Sequence, residues 1–253
     1  MFKKYVVFSM CCLSFLAAPM ADGDQALAAA PKQAAPQHDV KNLLKRIEKN
    51  YAKMQSLECT FQQLSKSGGQ VREGSGKAFF FRPGGINGTK GSKDFAATGG
   101  VIRWEYLGPE AQTIINDGQE IQIYTPADKQ LLISSAQALD ADLTYALFTG
   151  QSSLSEAFTV SAADANFSLS PPPPGLKALH LTPKESQSQL KQAQIWVNDD
   201  LQIERLLMED YFDALTELSF GDMRFDSIKP GDRSRIQELR ILKTAPDTEI
   251  IRQ

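Results

Sequence analysis

The sequence predicts an α+β fold: a single domain with a large antiparallel β-sheet and few helices. Along many short segments from residue 57 onward, apolar and polar residues alternate, which is the period of a β-strand. Residues 39–55 instead repeat apolar residues every three or four positions, which is the period of an amphipathic helix. Strands and helices do not alternate along the chain, so a doubly wound parallel sheet is disfavoured.

Composition excludes several classes of protein. The chain has 253 residues, of which 42% are hydrophobic, and a net charge of −3. That content of apolar residues can build a sizeable core, and the charge argues against a nucleic-acid-binding protein. With only two histidines and three cysteines, a zinc enzyme and a disulfide-stapled mini-domain are also disfavoured. We therefore expect no metal and no organic cofactor.

The first thirty residues have the pattern of a secretory signal peptide. Two lysines precede an apolar run at residues 6–18, and four alanines with one leucine fill positions 26–30. A basic start, a short apolar run and small residues predict a signal peptide over residues 1–30, cleaved near 28–30. The apolar run is short for a bilayer span, although an uncleaved membrane anchor is an alternative interpretation.

After cleavage, residues 31–38 are predicted to form a flexible N-terminal arm, because they are polar and contain proline. Cys11 and Cys12 would leave with the signal peptide. Cys59 would then be the one cysteine of the mature chain, which excludes an internal disulfide. An exported protein also has no ready supply of ATP, so a binding function is more natural than an energy-driven one.

The elements follow from the two periods and from turn residues. The predicted strands cover residues 57–63, 71–82, 101–106, 112–115, 120–125, 130–134, 158–162, 176–181, 192–197, 202–208, 214–220, 235–242 and 249–252. Two short helices are predicted at 139–148 and 152–158. Residues 84–100 contain six glycines and are predicted to form a flexible loop. These few helices either pack tightly against the sheet as part of the core or cover a cavity. Composition does not distinguish the two arrangements.

The sequence contains no motif of a nucleophile elbow, a zinc protease or a nucleotide-binding loop. Apolar side chains stand out instead. Phe79, Phe80 and Phe81 are consecutive, so a strand must direct aromatic rings to both of its faces. Ile102 and Trp104 share one face of another strand. The simplest interpretation of these residues alone is an ordinary hydrophobic core.

An ordered set of short motifs carries a family resemblance. The motifs are Met54–Gln63, Glu73–Gly76, Phe81–Pro83, Arg103–Tyr106 with Pro109, Asn116–Gly118, Tyr124–Pro126, Leu147–Gly150, Leu179–Pro183 and Pro246–Ile251. Together they span nearly all of the mature chain, and in this order they resemble the periplasmic outer-membrane lipoprotein carrier family, LolA.

The resemblance implies a fold and a function. The fold is a curved antiparallel half-barrel, with a lid of a few helices over a hydrophobic cavity. The function is that of a monomeric periplasmic chaperone for protein transport. It would bind the acyl chains of lipoproteins released by an inner-membrane ABC complex and carry them to an outer-membrane acceptor. An enzyme and a nucleic-acid partner are not expected.

The resemblance also implies roles for particular residues. Arg82, at the end of the second strand, corresponds to an arginine that latches the lid through backbone carbonyls. The lid would comprise the 39–55 helix and the 138–158 segment. We expect the acyl-chain cavity to be lined by Phe61, Phe79, Ile102, Trp104, Ile123, Leu143 and Leu147.

Two departures from the family pattern accompany the predicted carrier domain, residues 39–253. A glycine-rich insertion at 84–100 separates two motifs that the family places close together, and residues 222–240 match loosely. Two alternatives stay open: a lipid-binding or stress-regulatory periplasmic protein of the same fold, and a lipid hydrolase.

Overall fold

Twelve β-strands in one sheet, with four helices packed against it, make up the described part of the chain. The structure is a computed structural model, and it describes residues 37–82, 100–135, 143–149, 153–185, 190–229 and 231–253. The predicted signal peptide, most of the predicted arm and nearly all of the glycine-rich insertion lie outside these residues. The predicted α+β class, with a large antiparallel sheet and few helices, is confirmed.

The structure sets the bounds of each element. The helices are α1 (Gln37–Lys53), α2 (Leu143–Thr149), α3 (Leu154–Ala157) and α4 (Arg233–Arg240). The strands are β1 (Ser56–Ser67), β2 (Gln70–Phe81), β3 (Val101–Tyr106), β4 (Gln112–Asn116), β5 (Glu120–Thr125), β6 (Gln130–Ser135), β7 (Phe158–Ala162), β8 (Lys177–Pro183), β9 (Gln192–Val197), β10 (Ile203–Glu209), β11 (Leu215–Phe225) and β12 (Glu249–Arg252). The two predicted short helices correspond to α2 and α3, and α1 begins two residues earlier than expected.

The strands follow a simple order, β12-β6-β5-β4-β3-β2-β1-β11-β10-β9-β8-β7. Two runs of neighbouring antiparallel strands, β1 to β6 and β7 to β11, meet where β1 pairs with β11. At this junction Leu57 lies opposite Phe225, and Phe61 lies opposite Phe220. The last strand, β12, pairs with β6 in the parallel direction.

The sheet is apolar on both faces, and each face has its own cover. We call the face that contacts α1, α2 and α3 the inner face. Its side chains and those of the three helices form the largest buried cluster of the described residues. The opposite, outer face carries smaller clusters, one of which packs against α4.

The helix α4 corrects one prediction, since residues 235–242 were expected to form a strand. Asp232 caps the helix, accepting a hydrogen bond from the backbone N–H of Arg235 through its carboxylate. Ile236 and Leu239 are three residues apart, so they lie on one side of a helix. Both pack against the outer face, where Leu239 is 2% exposed. The cap at Asp232 and the contacts with the outer face therefore stabilise a helix in place of the expected strand.

Two buried polar side chains hold the β7–β8 connection against the other half of the outer face. Gln194, on β9, donates to the backbone oxygen of Phe167 at 3.0 Å. Glu217, on β11, is 2% exposed, accepts a hydrogen bond from the hydroxyl of Ser170 and lies 3.7 Å from the Arg205 guanidinium. Because buried polar groups are costly unless paired, these contacts fix the course of the connection.

None of the helices in the described ranges is both long enough and apolar enough to cross a membrane.

Two glycines of β2 differ sharply in their surroundings. A Cβ on Gly76 would lie 2.0 Å from the backbone oxygen of Glu105 and 2.8 Å from the ring of Phe61. A Cβ on Gly74 would have its nearest neighbour at 3.5 Å, in the ring of Tyr106. Only Gly76 therefore lacks room for a side chain.

We predict that Gly76→Ala lowers the free energy of unfolding by roughly 3 kcal/mol, because neither the strand backbone nor the buried ring can yield. Gly74→Ala is the matched control. It should leave stability unchanged or slightly higher, since alanine restricts the unfolded chain. Urea unfolding of both variants measures the difference, and equal stability of the two would contradict the close approach at Gly76.

Candidate functional site

The helix α1 covers the inner face with one apolar side. Its buried residues are Val40, Leu44, Ile47 and Tyr51, each at most 4% exposed, followed by Met54 just after the helix. Spacings of three and four residues place them on one side of the helix. Lys45 and Lys49 lie on the exposed side. The helix is therefore held to the sheet by burial of its apolar side.

The helices α2 and α3 extend this cover. Leu143 and Leu147 of α2 are 2% and 4% exposed, and Leu154 of α3 is 4% exposed. Phe148 packs at the centre, with its ring centroid 4.2 Å from Phe80 and 5.7 Å from Tyr51. Since Phe80 belongs to β2 and Tyr51 to α1, Phe148 joins α1 and α2 to the sheet.

The sheet contributes most of the residues that were expected to line a cavity. Phe61, Ile102 and Trp104 lie on the inner face and belong to the same buried cluster as Leu143 and Leu147. The rings of Phe61 and Trp104 meet edge to face, 4.9 Å apart. The structure thus brings together five of the predicted positions, in a packed interior rather than an open space.

Ile123 lies on the inner face as well, further out along the sheet. It pairs with Ile114, which in turn pairs with Trp104 across β3 and β4. Paired residues of neighbouring antiparallel strands share a face. Ile123 is 9% exposed, so it continues the apolar surface beyond the central cluster.

Phe79 is a correction. It lies on the outer face of β2, in the cluster that packs against α4, and the guanidinium of Arg235 lies 5.4 Å from its ring centroid. Phe80 occupies the corresponding place on the inner face and is 1% exposed. Because successive residues of a strand point to opposite faces, Phe79 and Phe80 cannot line the same space.

Arg82 follows β2 directly and contacts both helices of the cover. Its Nη2 donates to the backbone oxygen of Tyr51 at 2.9 Å and to that of Phe148 at 3.5 Å. Its Nη1 lies 3.4 Å from the backbone oxygen of Ala52. All three acceptors are in the last turn of α1 or of α2, where carbonyl groups lack partners within the helix.

The surroundings of Arg82 favour these contacts. The C-terminal ends of helices carry partial negative charge, which attracts a cation. Partial burial lowers the pKa of the Arg82 guanidinium from its ordinary value, but an arginine remains charged in proteins. A planar group with five N–H donors can bond carbonyls of two helices at once. Arg82 is the predicted latch residue, and the structure places it between α1, α2 and β2.

Further polar contacts attach α1 to α3 and to β10, and no sequence motif indicated them. Glu48 accepts hydrogen bonds from the hydroxyl of Ser153 at 2.9 Å and from the backbone N–H of Ser155 at 2.8 Å. It therefore caps the first turn of α3 from outside. The hydroxyl of Tyr51 accepts from the backbone N–H of Ile203 at 2.8 Å. In the sequence, only the position of a charged residue next to the apolar side of α1 could have indicated that Glu48 makes such a contact.

Two titratable side chains, Tyr51 and Cys59, lie buried in the described part of the inner face. Burial raises the pKa of the Cys59 thiol to about 12, and burial also raises the pKa of Tyr51 well above its usual value. Both groups are therefore neutral at physiological pH. Within the described ranges, no three His, Cys, Asp or Glu side chains are grouped in a way that could hold a metal ion.

Fold and site together define an α+β protein in which three helices close an extensive apolar surface on one face of a curved sheet. Closure depends on buried side chains and on a small number of hydrogen bonds to helix ends. The chain belongs to the LolA family, since the family model described as "Outer membrane lipoprotein carrier protein LolA" matches residues 89–230. The resemblance identified from short motifs is thereby confirmed.

Relatives known as outer-membrane lipoprotein carrier proteins are similar to this chain at low identity. One from Dechloromonas aromatica is 24% identical over 179 residues, which cover 69% of this chain and 74% of the relative. One from Pseudomonas syringae pv. syringae is 29% identical over 143 residues, covering 53% of this chain and 58% of the relative. The alignment thus spans about three quarters of the first relative and under two thirds of the second.

Two solved structures are also similar in outline. A putative outer membrane lipoprotein-sorting protein domain from Vibrio parahaemolyticus has a TM-score of 0.46 and 10% identity, covering 81% of this chain and 100% of that one. The MucA/MucB complex from Pseudomonas aeruginosa has a TM-score of 0.36 and 13% identity, covering 77% and 60%. The family assignment rests on the sequence match over residues 89–230.

We predict that Glu48→Ala increases amide hydrogen exchange in α3 while leaving β10 and β11 protected. Removal of the carboxylate leaves the N–H of Ser155 without its partner, at a cost of about 1 kcal/mol for a half-buried group. Exchange measured by mass spectrometry should rise in residues 153–157. Lys49→Ala, on the exposed side of the same helix, is the control, and equal exchange in both variants would argue against the link.

We also predict that Cys59 makes stability depend on alkaline pH. Burial raises the pKa of the folded thiol from 9 to about 12. The buried neutral thiol therefore contributes fully to the free energy of unfolding below pH 9. This contribution is lost as pH rises towards 12, because only the unfolded chain then ionises. The expected slope is about 1.4 kcal/mol per pH unit.

The measurement compares urea unfolding of the native protein and Cys59→Ala between pH 8.5 and 10. The variant should be less stable at every pH, because it leaves a small cavity, but its pH dependence should be flatter. Burial is the main cause of the raised pKa of Tyr51 and the charge of Cys59 only a minor one, so the Tyr51 contribution changes little between the two proteins. Parallel curves would show that the thiol ionises equally in the folded and unfolded states.

Proposed function

We propose that this protein is a periplasmic carrier of acylated lipoproteins, which binds their acyl chains between the inner face of the sheet and α1 to α3. The single observation that carries the proposal is the position of Arg82. One side chain bonds the C-terminal ends of α1 and α2 over a continuous apolar surface. Membership of the LolA family supports the same function.

Acyl chains supply a large driving force for binding. Each buried CH₂ group is worth about 0.8 kcal/mol, so two or three long acyl chains amount to tens of kcal/mol of apolar surface. The inner face is filled by side chains such as Phe80, Phe148 and Leu147. Cargo therefore enters only when helices move away from the sheet, and the described state is the closed one.

The contacts of the helices differ in a way that suggests which of them moves. The helix α1 is fastened by Tyr51 to β10, by Glu48 to α3 and by its terminal carbonyls to Arg82. The bond between Arg82 and the oxygen of Phe148 is longer, at 3.5 Å. We infer that α1 and α3 stay together when the cover opens, because Glu48 links them.

Transport would proceed without ATP in the protein itself. An inner-membrane ABC releasing complex would deliver the lipoprotein, and an outer-membrane acceptor would receive it. Holding the acyl chains breaks the hydrogen bonds of Arg82, and release allows them to form again. Each bond to a charged donor contributes about 1.5–3 kcal/mol, which is enough to bias a two-state lid.

We predict that Arg82→Leu takes up lipoprotein but fails to hand it on. Uptake is driven by apolar area and does not need the guanidinium, whereas release loses the bonds that favour closure. The fold should survive, since Arg82 lies outside β2 and half-exposed. Transfer of a labelled triacylated lipoprotein from the purified carrier to acceptor-bearing outer-membrane vesicles measures the effect.

Arg46→Leu provides the matched control, because Arg46 is exposed on α1 and has no hydrogen bond or ion pair within the described residues. It should transfer cargo at the native rate. Native mass spectrometry of both variants from the periplasm tests whether a lipoprotein co-purifies. Native-rate transfer by Arg82→Leu would contradict the latch, and failure of either variant to carry lipoprotein would contradict the carrier function.

A further inference from the structure

A short segment crosses the outer face after α4 and is attached at both of its ends. Arg103 on β3 donates through Nη1 to the backbone oxygen of Ile241 at 3.0 Å. The hydroxyl of Tyr124 on β5 accepts from the backbone N–H of Ala245 at 3.1 Å. We call residues 241–245 the strap. Its course is fixed by the two side chains that hold it, although Ile241 itself is 48% exposed.

A pocket of about 510 Å³ lies between the strap, α4 and the outer face of the sheet. This volume is within the range of small-molecule sites. The sheet supplies a polar row, because Glu105 pairs with Thr113 and Thr113 pairs with Tyr124 across three neighbouring strands. Such partners lie about 5 Å apart on one face. Arg103, two residues from Glu105, lies beside that row.

The polar groups of the pocket offer donors in excess of acceptors. Glu105 is already bound to the Nε of Arg103 at 2.6 Å, and Glu238 pairs with Arg235 at 3.1 Å. Against these, the Nη2 of Arg103, the hydroxyl of Thr113 and the ammonium of Lys243 have no hydrogen-bond partner within the described ranges. The charged side chains are three cations and two carboxylates. A ligand that complements them carries a negative charge.

The remaining wall of the pocket is apolar. Phe79, Leu239 and Leu242 line it, and the first two belong to the buried cluster beneath α4. A second pocket, of about 540 Å³, adjoins the first and shares Phe79 and Arg235 with it. Arg235 is held at this boundary by an exposed ion pair and by the ring of Phe79. Such contacts are weak, so its side chain can move to join the two spaces.

We propose that the pocket under the strap binds an anionic amphiphile, with a phosphate or carboxylate group against Arg103, Thr113 and Lys243 and an apolar portion along Phe79 and Leu239. The site is on the opposite face of the sheet from the proposed acyl-chain site. It therefore does not depend on the carrier function, and one can fail without the other.

Isothermal titration calorimetry of the purified protein with decyl phosphate, below its micellar concentration, tests the proposal. Lys243→Glu should weaken binding at least about tenfold, because it replaces a cation beside the anion by a like charge. Lys243→Arg should restore binding. Lys66→Glu, an equal change of charge at an exposed position on β1, should have no effect. Decyltrimethylammonium should not bind here, and inorganic phosphate should bind more weakly than decyl phosphate.

Amide shifts in NMR spectra locate the site, since an amphiphile could also enter the inner face. Decyl phosphate should shift Thr113, Tyr124 and Lys243, and these shifts should disappear in Lys243→Glu. Co-sedimentation with phosphatidylglycerol vesicles distinguishes a membrane lipid from a free amphiphile. If Lys243→Glu weakens both vesicle binding and decyl phosphate binding, the ligand is a membrane headgroup. If it weakens decyl phosphate binding alone, the ligand is a free amphiphile. Shifts confined to inner-face residues such as Leu147, or equal affinity of Lys243→Glu and the native protein, would overturn the proposal.

Discussion

The alternation of side chains along β2 is the constraint on which the rest of the structure depends. Three consecutive phenylalanines end this strand, so Phe80 points to the inner face while Phe79 and Phe81 point to the outer one. A sheet with aromatic rings on both faces must be covered on both sides. The helices α1 to α3 cover one side, and α4, the strap and the β7–β8 connection cover the other.

The two covers are attached in different ways. On the inner face, the helices are bonded at their ends by Arg82 and to each other by Glu48, and the surface beneath them is almost wholly apolar. On the outer face, polar side chains such as Arg103, Tyr124 and Glu217 reach from the sheet to hold irregular backbone. The inner cover is thus bonded at the ends of its helices, whereas the outer cover is bonded by polar side chains of the strands themselves.

Much of the fold could be predicted because it depends on local period. The helix α1 was located from its helical spacing of apolar residues, and the strands β3, β5, β7, β9 and β12 from alternation and turn residues. Their bounds hold to within a residue or two. The helix α4 was missed because eight residues with two apolar positions satisfy either period poorly. Its cap at Asp232 and its contacts with the outer face decide the matter.

The site was less predictable, because its geometry depends on residues far apart in the chain. The place of Arg82 came from family resemblance, and neither period nor charge indicates that its partners are carbonyls 30 and 66 residues away. Phe79 was assigned to the cavity because alternation shows that Phe79 and Phe81 share a face but not which face of the sheet the helices cover. Glu48 acts on Ser155 across 107 residues, a separation that no short motif spans.

The pairing of β1 with β11 has a consequence for how the chain folds. Each half of the sheet consists of neighbouring hairpins that can form early, but the central pair joins Leu57 to Phe225 and closes a loop of about 170 residues. Such a contact carries a high entropic cost before it yields any enthalpy. We therefore expect the two halves to form before the centre closes. In that interval the rings of Phe61 and Phe220 are open to solvent, and self-association competes most strongly with folding at this step.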